Sequence, residues 1–281
     1  MNQKRKVNPL VKILIAAIIA LVVTVVLILI IGGRYTTLPD GSKFVGEFEN
    51  GQPVEGVINN GEDVGHLDFY NKTITYDSGN LYVGEIKDGC RDGYGKMTYA
   101  ETGDVYVGYF SKGKISGAGV YTYSNGDVFE GNFEDGLKNG YGVLKYANGN
   151  IYSGTYKDDV RSGDGIFTWA SGAKYTGKFE NDLKNGYGVM LYENGDVYEG
   201  DFKNDMRDGS VCVYSWANGE RYNGPFRNNV MDTRVINADG SFIIDENNEY
   251  VHGDMATYTF TTDRTFKGYF ENGKAKGITI G

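Results

Sequence analysis

Two hydrophobic patterns divide the chain. Residues 13–31 read ILIAAIIALVVTVVLILII, with Thr24 as the only polar side chain. At ~1.5 Å per residue this run predicts a helix of roughly 28 Å, the thickness of a bilayer's hydrocarbon core. From about residue 40 the pattern changes to alternation, and the same alternation returns again and again. Aromatic side chains at Tyr82, Tyr106, Phe129, Tyr152, Tyr175, Tyr198 and Tyr222 are each followed two residues later by glycine. A large side chain stands two residues further on, as at Phe110, Tyr156, Phe179 and Phe202. Residues spaced by two share one face of a strand, so each such segment predicts a strand with an aromatic face.

A polar segment such as EDGLKNG then reverses the chain. A second strand opens on Gly-x-Gly, as at Gly140 and Gly142, and closes on an aromatic, as at Tyr146 or Trp169. The Asn-Gly that follows predicts a two-residue hairpin turn with both residues at positive φ. Counted at that turn, the glycines are Gly79, Gly103, Gly126, Gly149, Gly172, Gly195 and Gly219, a period of 23 with two steps of 24. Each period is a β-hairpin that cannot bury its rings alone, and a row of them can. The fold class expected is therefore all-β: an elongated, twisted single sheet of stacked hairpins, preceded by one transmembrane helix. At ~10 Å per hairpin, nine or ten units extend on the order of 90 Å.

The motif Tyr-x-Gly-x-Phe, a short turn, then Gly-x-Gly and an aromatic resembles the MORN (membrane occupation and recognition nexus) repeat family. YEGDFKNDMRDG at Tyr198–Gly209 carries the resemblance best. Taken with the apolar run, the repeat pattern predicts a short basic tail at 1–12, the membrane helix at 13–31, and a linker with a partial first repeat and an irregular segment at 32–78. Six regular repeats at 79–218 and degenerate and terminal capping repeats at 219–281 follow. Four departures stand out. Val211 takes the place of the second glycine in one unit, and Thr233 and Val235 replace both glycines in the next. A 23-residue unit starting at Gly240 has Asp245 where glycine belongs, and residues 57–78 fit no unit.

Composition narrows the function. The chain has 42 Gly and 23 Tyr among 281 residues, too aromatic for disorder and without a collagen triplet. All four basic residues of the first 31 precede the apolar run or open it, and the rest of the chain holds 24 basic against 37 acidic residues. A body that negative is repelled by phosphate, which excludes nucleic acid and disfavours an anionic lipid surface as the partner of the repeats. The basic N-terminal flank predicts a cytoplasmic N-terminus and repeats on the extracytoplasmic side. A cleavable signal would need a small residue where Ile31 stands before a cut after Gly33, so the anchor is expected to remain uncleaved.

Candidate chemistry is sparse. Each Gly-x-Gly opens a strand instead of a helix, which removes a dinucleotide loop. His66 and His252 lie far apart, are read as surface histidines, and have no ligand pattern around them. Cys90 is expected exposed in a polar turn and Cys212 on a strand, five units away and so out of disulfide reach. No catalytic residue, cofactor or metal site is predicted. The residue between the two glycines points away from the rings, and tyrosine recurs there as Tyr94, Tyr141 and Tyr187, a candidate row for partner contact. The expected function is a membrane-anchored, non-enzymatic scaffold. It meets the bilayer through residues 13–31 and binds an unknown protein or an envelope polysaccharide outside the cytoplasm. The alternative is a scaffold on the cytoplasmic side that binds lipids or proteins, and a carbohydrate-active enzyme is a more distant one.

Overall fold

The structure is a computed structural model that describes residues 34–262 and 264–280. The predicted membrane span at 13–31 lies outside the described residues. Among those described, no helix is long and apolar enough to cross a membrane. The chain is all-β and divides into two compact units, residues 34–126 with 133–136 and residues 127–132 with 137–280.

In the first unit β1 (Arg34–Thr37), β2 (Lys43–Glu49), β3 (Gln52–Asn59), β4 (Val64–Asp68) and β5 (Thr73–Tyr76) form an antiparallel meander. It continues through β6 (Leu81–Lys87), β7 (Cys90–Thr98), β8 (Val105–Ser111) and β9 (Lys114–Thr122). The division between units cuts β10 (Val128–Glu134). The second unit then runs through β11 (Leu137–Lys145), β12 (Ile151–Lys157), β13 (Val160–Thr168), β14 (Lys174–Glu180) and β15 (Leu183–Leu191), each antiparallel to the next. Beyond these come β16 (Val197–Lys203), the two-residue β17 (Met206–Arg207), β18 (Gly209–Ser215) and β19 (Arg221–Arg227). It ends with β20 (Val230–Met231), β21 (Ala256–Thr259), β22 (Thr265–Glu271) and β23 (Lys274–Ile280).

The core of each unit is a layer of rings. Phe44, Tyr82, Tyr106, Phe129, Tyr152, Tyr175, Tyr198 and Tyr222 are all fully buried. Each lies over the glycine two residues ahead, and the first six also lie over the glycine paired with it on the next strand, as Tyr175 does over Gly177 and Gly188; under Tyr198 and Tyr222 that second place belongs to Cys212 and Ala256. A methyl group on Gly188 would sit 2.5 Å from the Tyr175 ring. The ring's hydroxyl crosses the glycine and donates to the carbonyl three residues on, 2.9 Å from Tyr175 to Lys178 O and 2.7 Å from Tyr198 to Asp201 O. Phenylalanines stand edge-on between successive rings: Phe179 lies 5.1 Å from Tyr152 and 5.2 Å from Tyr175. Such T-shaped contacts set the positive ring edge against the negative face.

The turns correct the sequence reading. The Asn-Gly end is a three-residue loop in which Gly149 N–H donates to Tyr146 O, and only the glycine has positive φ (+88°). The two-residue turn with both residues at positive φ lies at the other end, at Asp158-Asp159, Asn181-Asp182 and Asn204-Asp205. Both ends are stapled to the neighbouring hairpin. Asn150 Oδ1 accepts the Ala170 N–H at 2.9 Å, and Asp196 Oδ1 accepts that of Ala217 at 2.9 Å. At the opposite end Asp182 Oδ1 accepts the Arg161 N–H at 2.9 Å, and Asp205 Oδ1 accepts that of Lys184 at 2.9 Å.

The two longer steps in the period have separate causes. Between β7 and β8 the loop is Ala100–Gly103, four residues instead of three. Before Gly219 the extra residue is a bulge between Gly209 and Cys212, so Cys212 takes the second glycine's place and Val211 is extruded, 83% exposed. The irregular stretch 57–78 is an ordinary part of the meander, with Ile58, Leu67 and Ile74 buried in place of rings. The supposed unit from Gly240 is not a sheet hairpin. Three residues join Arg161 to Gly165 in a regular unit, whereas 24, residues 232–255, join Met231 to Ala256. Ala256 fills the glycine position opposite Gly268, and β21 pairs with β19 past the inserted segment. The insertion is close to one period long, which preserved the count and concealed it. Within it Val235 N–H donates to Val251 O, Val251 N–H to Ile243 O and Ile243 N–H to Val235 O, a closed cycle of three extended segments. Buried Arg234, paired with Asp232 and lying 3.7 Å from the Phe242 ring centre, anchors it.

Candidate functional site: a face of rings and cations

Opposite sides of the second unit differ. On the ring face, a cation from the start of each second strand lies over the aromatics. Arg161 sits 5.5 Å from the ring centres of Tyr152 and Phe167 and 5.3 Å from that of Phe179. Lys184 repeats this over Trp169, Tyr175 and Phe202, and Arg207 over Tyr198, Tyr214 and Phe226. These cations are half-buried, and Asp182 pairs with Arg161 at 2.9 Å while Asp205 pairs with Lys184 at 3.6 Å. Arg161, Lys184, Asp182 and Asp205 line a shallow groove together with Phe167, Trp169 and Phe179. Phe167 and Trp169 belong to a second file of half-buried rings at the three-residue loops, in which Phe167 lies 4.6 Å from Trp169 and Tyr214 4.8 Å from Trp216. The cation column was readable in the sequence as a basic residue two places before the first glycine, at Arg91, Lys138, Arg161, Lys184 and Arg207.

The groove offers cationic donors, the carboxylates of Asp182 and Asp205, and ring faces. Burial raises the phenol of Tyr152 to about 12, so it stays neutral at ordinary pH and acts as a donor. One buried hydroxyl, that of Tyr156, has no hydrogen-bond partner. It stands where the other units have phenylalanine or Ile86. Among the described residues no group of three or more His, Cys, Asp or Glu could hold a metal.

Tyr141 and Tyr187 lie on the other face of the second unit, 57% and 53% exposed, and Tyr94, in the first unit, is 51% exposed. Each leans on a neighbouring strand. Tyr94 meets Tyr109 edge-on at 5.4 Å, Tyr141 Oη is 2.5 Å from Ser153 Oγ, and Tyr187 Oη donates to Glu199 at 2.5 Å. Two expectations about reactive groups fail. Cys90 is buried, because Leu38 and Pro53 close over the turn that precedes it, and burial pushes its thiol up to about 12. Cys212 is buried too and accepts a hydrogen bond from Tyr198 at 3.1 Å. His66 is exposed, but His252 is not a surface histidine: it is held between Thr233 (2.8 Å) and Glu271 (3.2 Å) and stacked on Tyr269.

No curated protein matches the chain significantly. Among solved structures, the TCP10 domain of Danio rerio CPAP in complex with a peptide of Danio rerio STIL is 14% identical. That match covers 89% of this chain and 99% of the other, with a TM-score of 0.42. The SAS-4 (dCPAP) TCP domain of Drosophila melanogaster, in complex with a proline-rich motif of Ana2, is 18% identical over 62% of this chain and 92% of its own, with a TM-score of 0.33. A streptogramin B lyase structure is 13% identical over 84% and 90%, with a TM-score of 0.16. The MORN repeat matches residues 82–101, 106–128, 129–151, 152–174, 175–197 and 198–221. Six consecutive matches to the MORN repeat thus cover the regular part of the chain, residues 82–221 except 102–105.

Proposed function

We propose that this protein is a non-catalytic scaffold, held at a membrane by residues 13–31, that binds an extended partner across the ring-and-cation face of its repeats. The observation that supports the reading is the groove at Arg161, Lys184, Phe167 and Trp169, whose ring faces and half-buried cations recur from hairpin to hairpin. A partner that repeats its own chemistry gains a contact at each step, which suits an envelope polysaccharide or an extended protein segment. The acidic repeats disfavour nucleic acid and an anionic lipid surface as that partner. The basic residues ahead of the span favour an extracytoplasmic location for the repeats.

Both halves of the proposal have a direct test. The buried native thiols leave the wild type as its own background, so Ser171→Cys, on an exposed loop, reports sidedness. A membrane-impermeant maleimide should label it in intact cells. Labelling only after permeabilisation would place the scaffold on the cytoplasmic side, with lipids or cytoplasmic proteins as the partners to test. Trp169 lines the groove, and Trp216, the chain's other tryptophan, stands in the same file of rings. Their fluorescence should change on titration with solubilised envelope polysaccharide and stay unchanged in a Lys184→Glu variant. A flat titration would remove the polysaccharide.

A further inference from the structure

We infer that the other face of the second unit, the one carrying Tyr141 and Tyr187, is covered by a second copy of this chain. The inference is independent of the anchor and of the side of the membrane. Along the middle of this face runs a row of cross-strand neighbours in which Val143, Ile166, Val189 and Val213 alternate with Ser153, Thr176 and Glu199. Its one charged member is already engaged, since Glu199 accepts the Tyr187 hydroxyl. Tyr141, Ile151, Ile166, Tyr187 and Leu191 on the same face are all more than a third exposed. A sheet that buries rings on one side and leaves β-branched and aromatic side chains bare on the other lacks a second layer.

Three features of the face favour a copy of itself as that layer. The row is small and β-branched, the composition that lets two sheets approach to about 10 Å. Its margins differ in charge: Lys145, Lys174 and Arg221 lie along one, while Asp164 and Asp201 outnumber Lys178 along the other. A copy turned by a two-fold axis running along the middle row sets each margin against the opposite margin of its partner, and such an interface is self-complementary. The area also suffices. Eight strands at ~4.8 Å by five residues at ~3.3 Å cover about 650 Å² per copy, or roughly 1,300 Å² in total, within the range of specific dimers.

The test uses the full chain. In native membranes a thiol at Ile166→Cys should react with maleimide at least tenfold more slowly than one at Ser171→Cys. The detergent-solubilised protein should sediment at twice the chain mass, after correction for bound detergent. Placing two like charges on the row, Ile166→Asp with Val189→Asp, should give the mass of one chain. These positions are exposed or half-buried in a single copy, so the circular dichroism should not change. A thiol at Ile166 as reactive as that at Ser171, together with a one-chain mass, would overturn the inference. Protection of Ile166 with a one-chain mass would place a different protein on this face and overturn it equally.

Discussion

Gly188→Ala isolates the contact on which each repeat depends. The added methyl would lie 2.5 Å from Tyr175 Cε2, 2.6 Å from its hydroxyl oxygen and 2.7 Å from Cζ, and its three nearest neighbours all belong to that one ring. The ring has nowhere to go: Phe179 stands 5.2 Å away on one side and Phe202 5.1 Å on the other, and the hydroxyl is tied to Lys178 O. Overpacking of this kind costs about 1–3 kcal/mol, and loss of the hydroxyl's bond about 1 kcal/mol more. Reduced freedom of the unfolded chain returns about 0.4–1 kcal/mol, so the net expected loss is about 2–3 kcal/mol. Gly172→Ala is the control. It meets no atom within 4 Å and suffers only from its φ of +93°, a cost of about 1–2 kcal/mol before the same return. Urea unfolding followed by far-ultraviolet circular dichroism measures both. The decisive step is a double-mutant cycle with Tyr175→Ala: with the ring gone, Gly188→Ala should cost nothing, a coupling of about 2–3 kcal/mol. Additive effects, or a Gly188→Ala protein within about 0.5 kcal/mol of wild type, would refute the account of the glycine as the floor beneath the ring.

Tyr156→Phe should stabilise the fold by about 1 kcal/mol, since it removes a buried hydroxyl that bonds to nothing; a lower urea midpoint would contradict this. Ala173→Asn should raise the thermal midpoint. Asn150 and Asp196 each hold the backbone of the hairpin after theirs, Ala173 in the same column has no side-chain acceptor to offer Glu193 N–H, and a restored staple is worth about 1 kcal/mol. Asp196→Asn should flatten the acid limb of stability. Burial opposes ionisation of Asp196, but hydrogen bonds from Tyr214, Ala217 and Asn194 outweigh it and hold the carboxyl below its ordinary 3.8. A depressed folded-state value contributes stability that is complete above the ordinary value and lost as pH falls through the lower one. Thermal midpoints between pH 5 and 2 should therefore fall less steeply in the variant, and equal slopes would sink the assignment.

What could be read in the sequence was what repeats with the same letters. Tyr152, Tyr175 and Tyr198 with their glycines set the ring layer, because a two-residue alternation maps directly onto one face of a strand. The hairpin at 57–78 escaped because Leu67 and Ile74 bury as well as rings do without resembling them. The bulge at Val211 escaped because counting places residues by number, whereas hydrogen bonding placed Cys212 under Tyr198. Cys90 was misjudged for a tertiary reason: its local turn is polar, but Leu38 and Pro53 arrive from elsewhere in the chain to cover it. In the groove, the rings were taken as core alone. The cations above them were visible in the spacing, because two-residue alternation back from Phe167 through Gly165 and Gly163 already puts Arg161 on the ring face.

The staples carry a consequence for how such a chain can lengthen. Asn150 reaches Ala170 and Asp182 reaches back to Arg161, so these ties each span about one unit. A tandem gene duplication that copies a whole number of periods leaves each donor facing an acceptor of the same kind. A duplication of a fraction of a period strands both partners and slips a ring off its glycine. Selection then favours growth in steps of 23 residues, with additions of other lengths tolerated where residues 232–255 sit, between one hairpin's turn and the glycine position of its second strand.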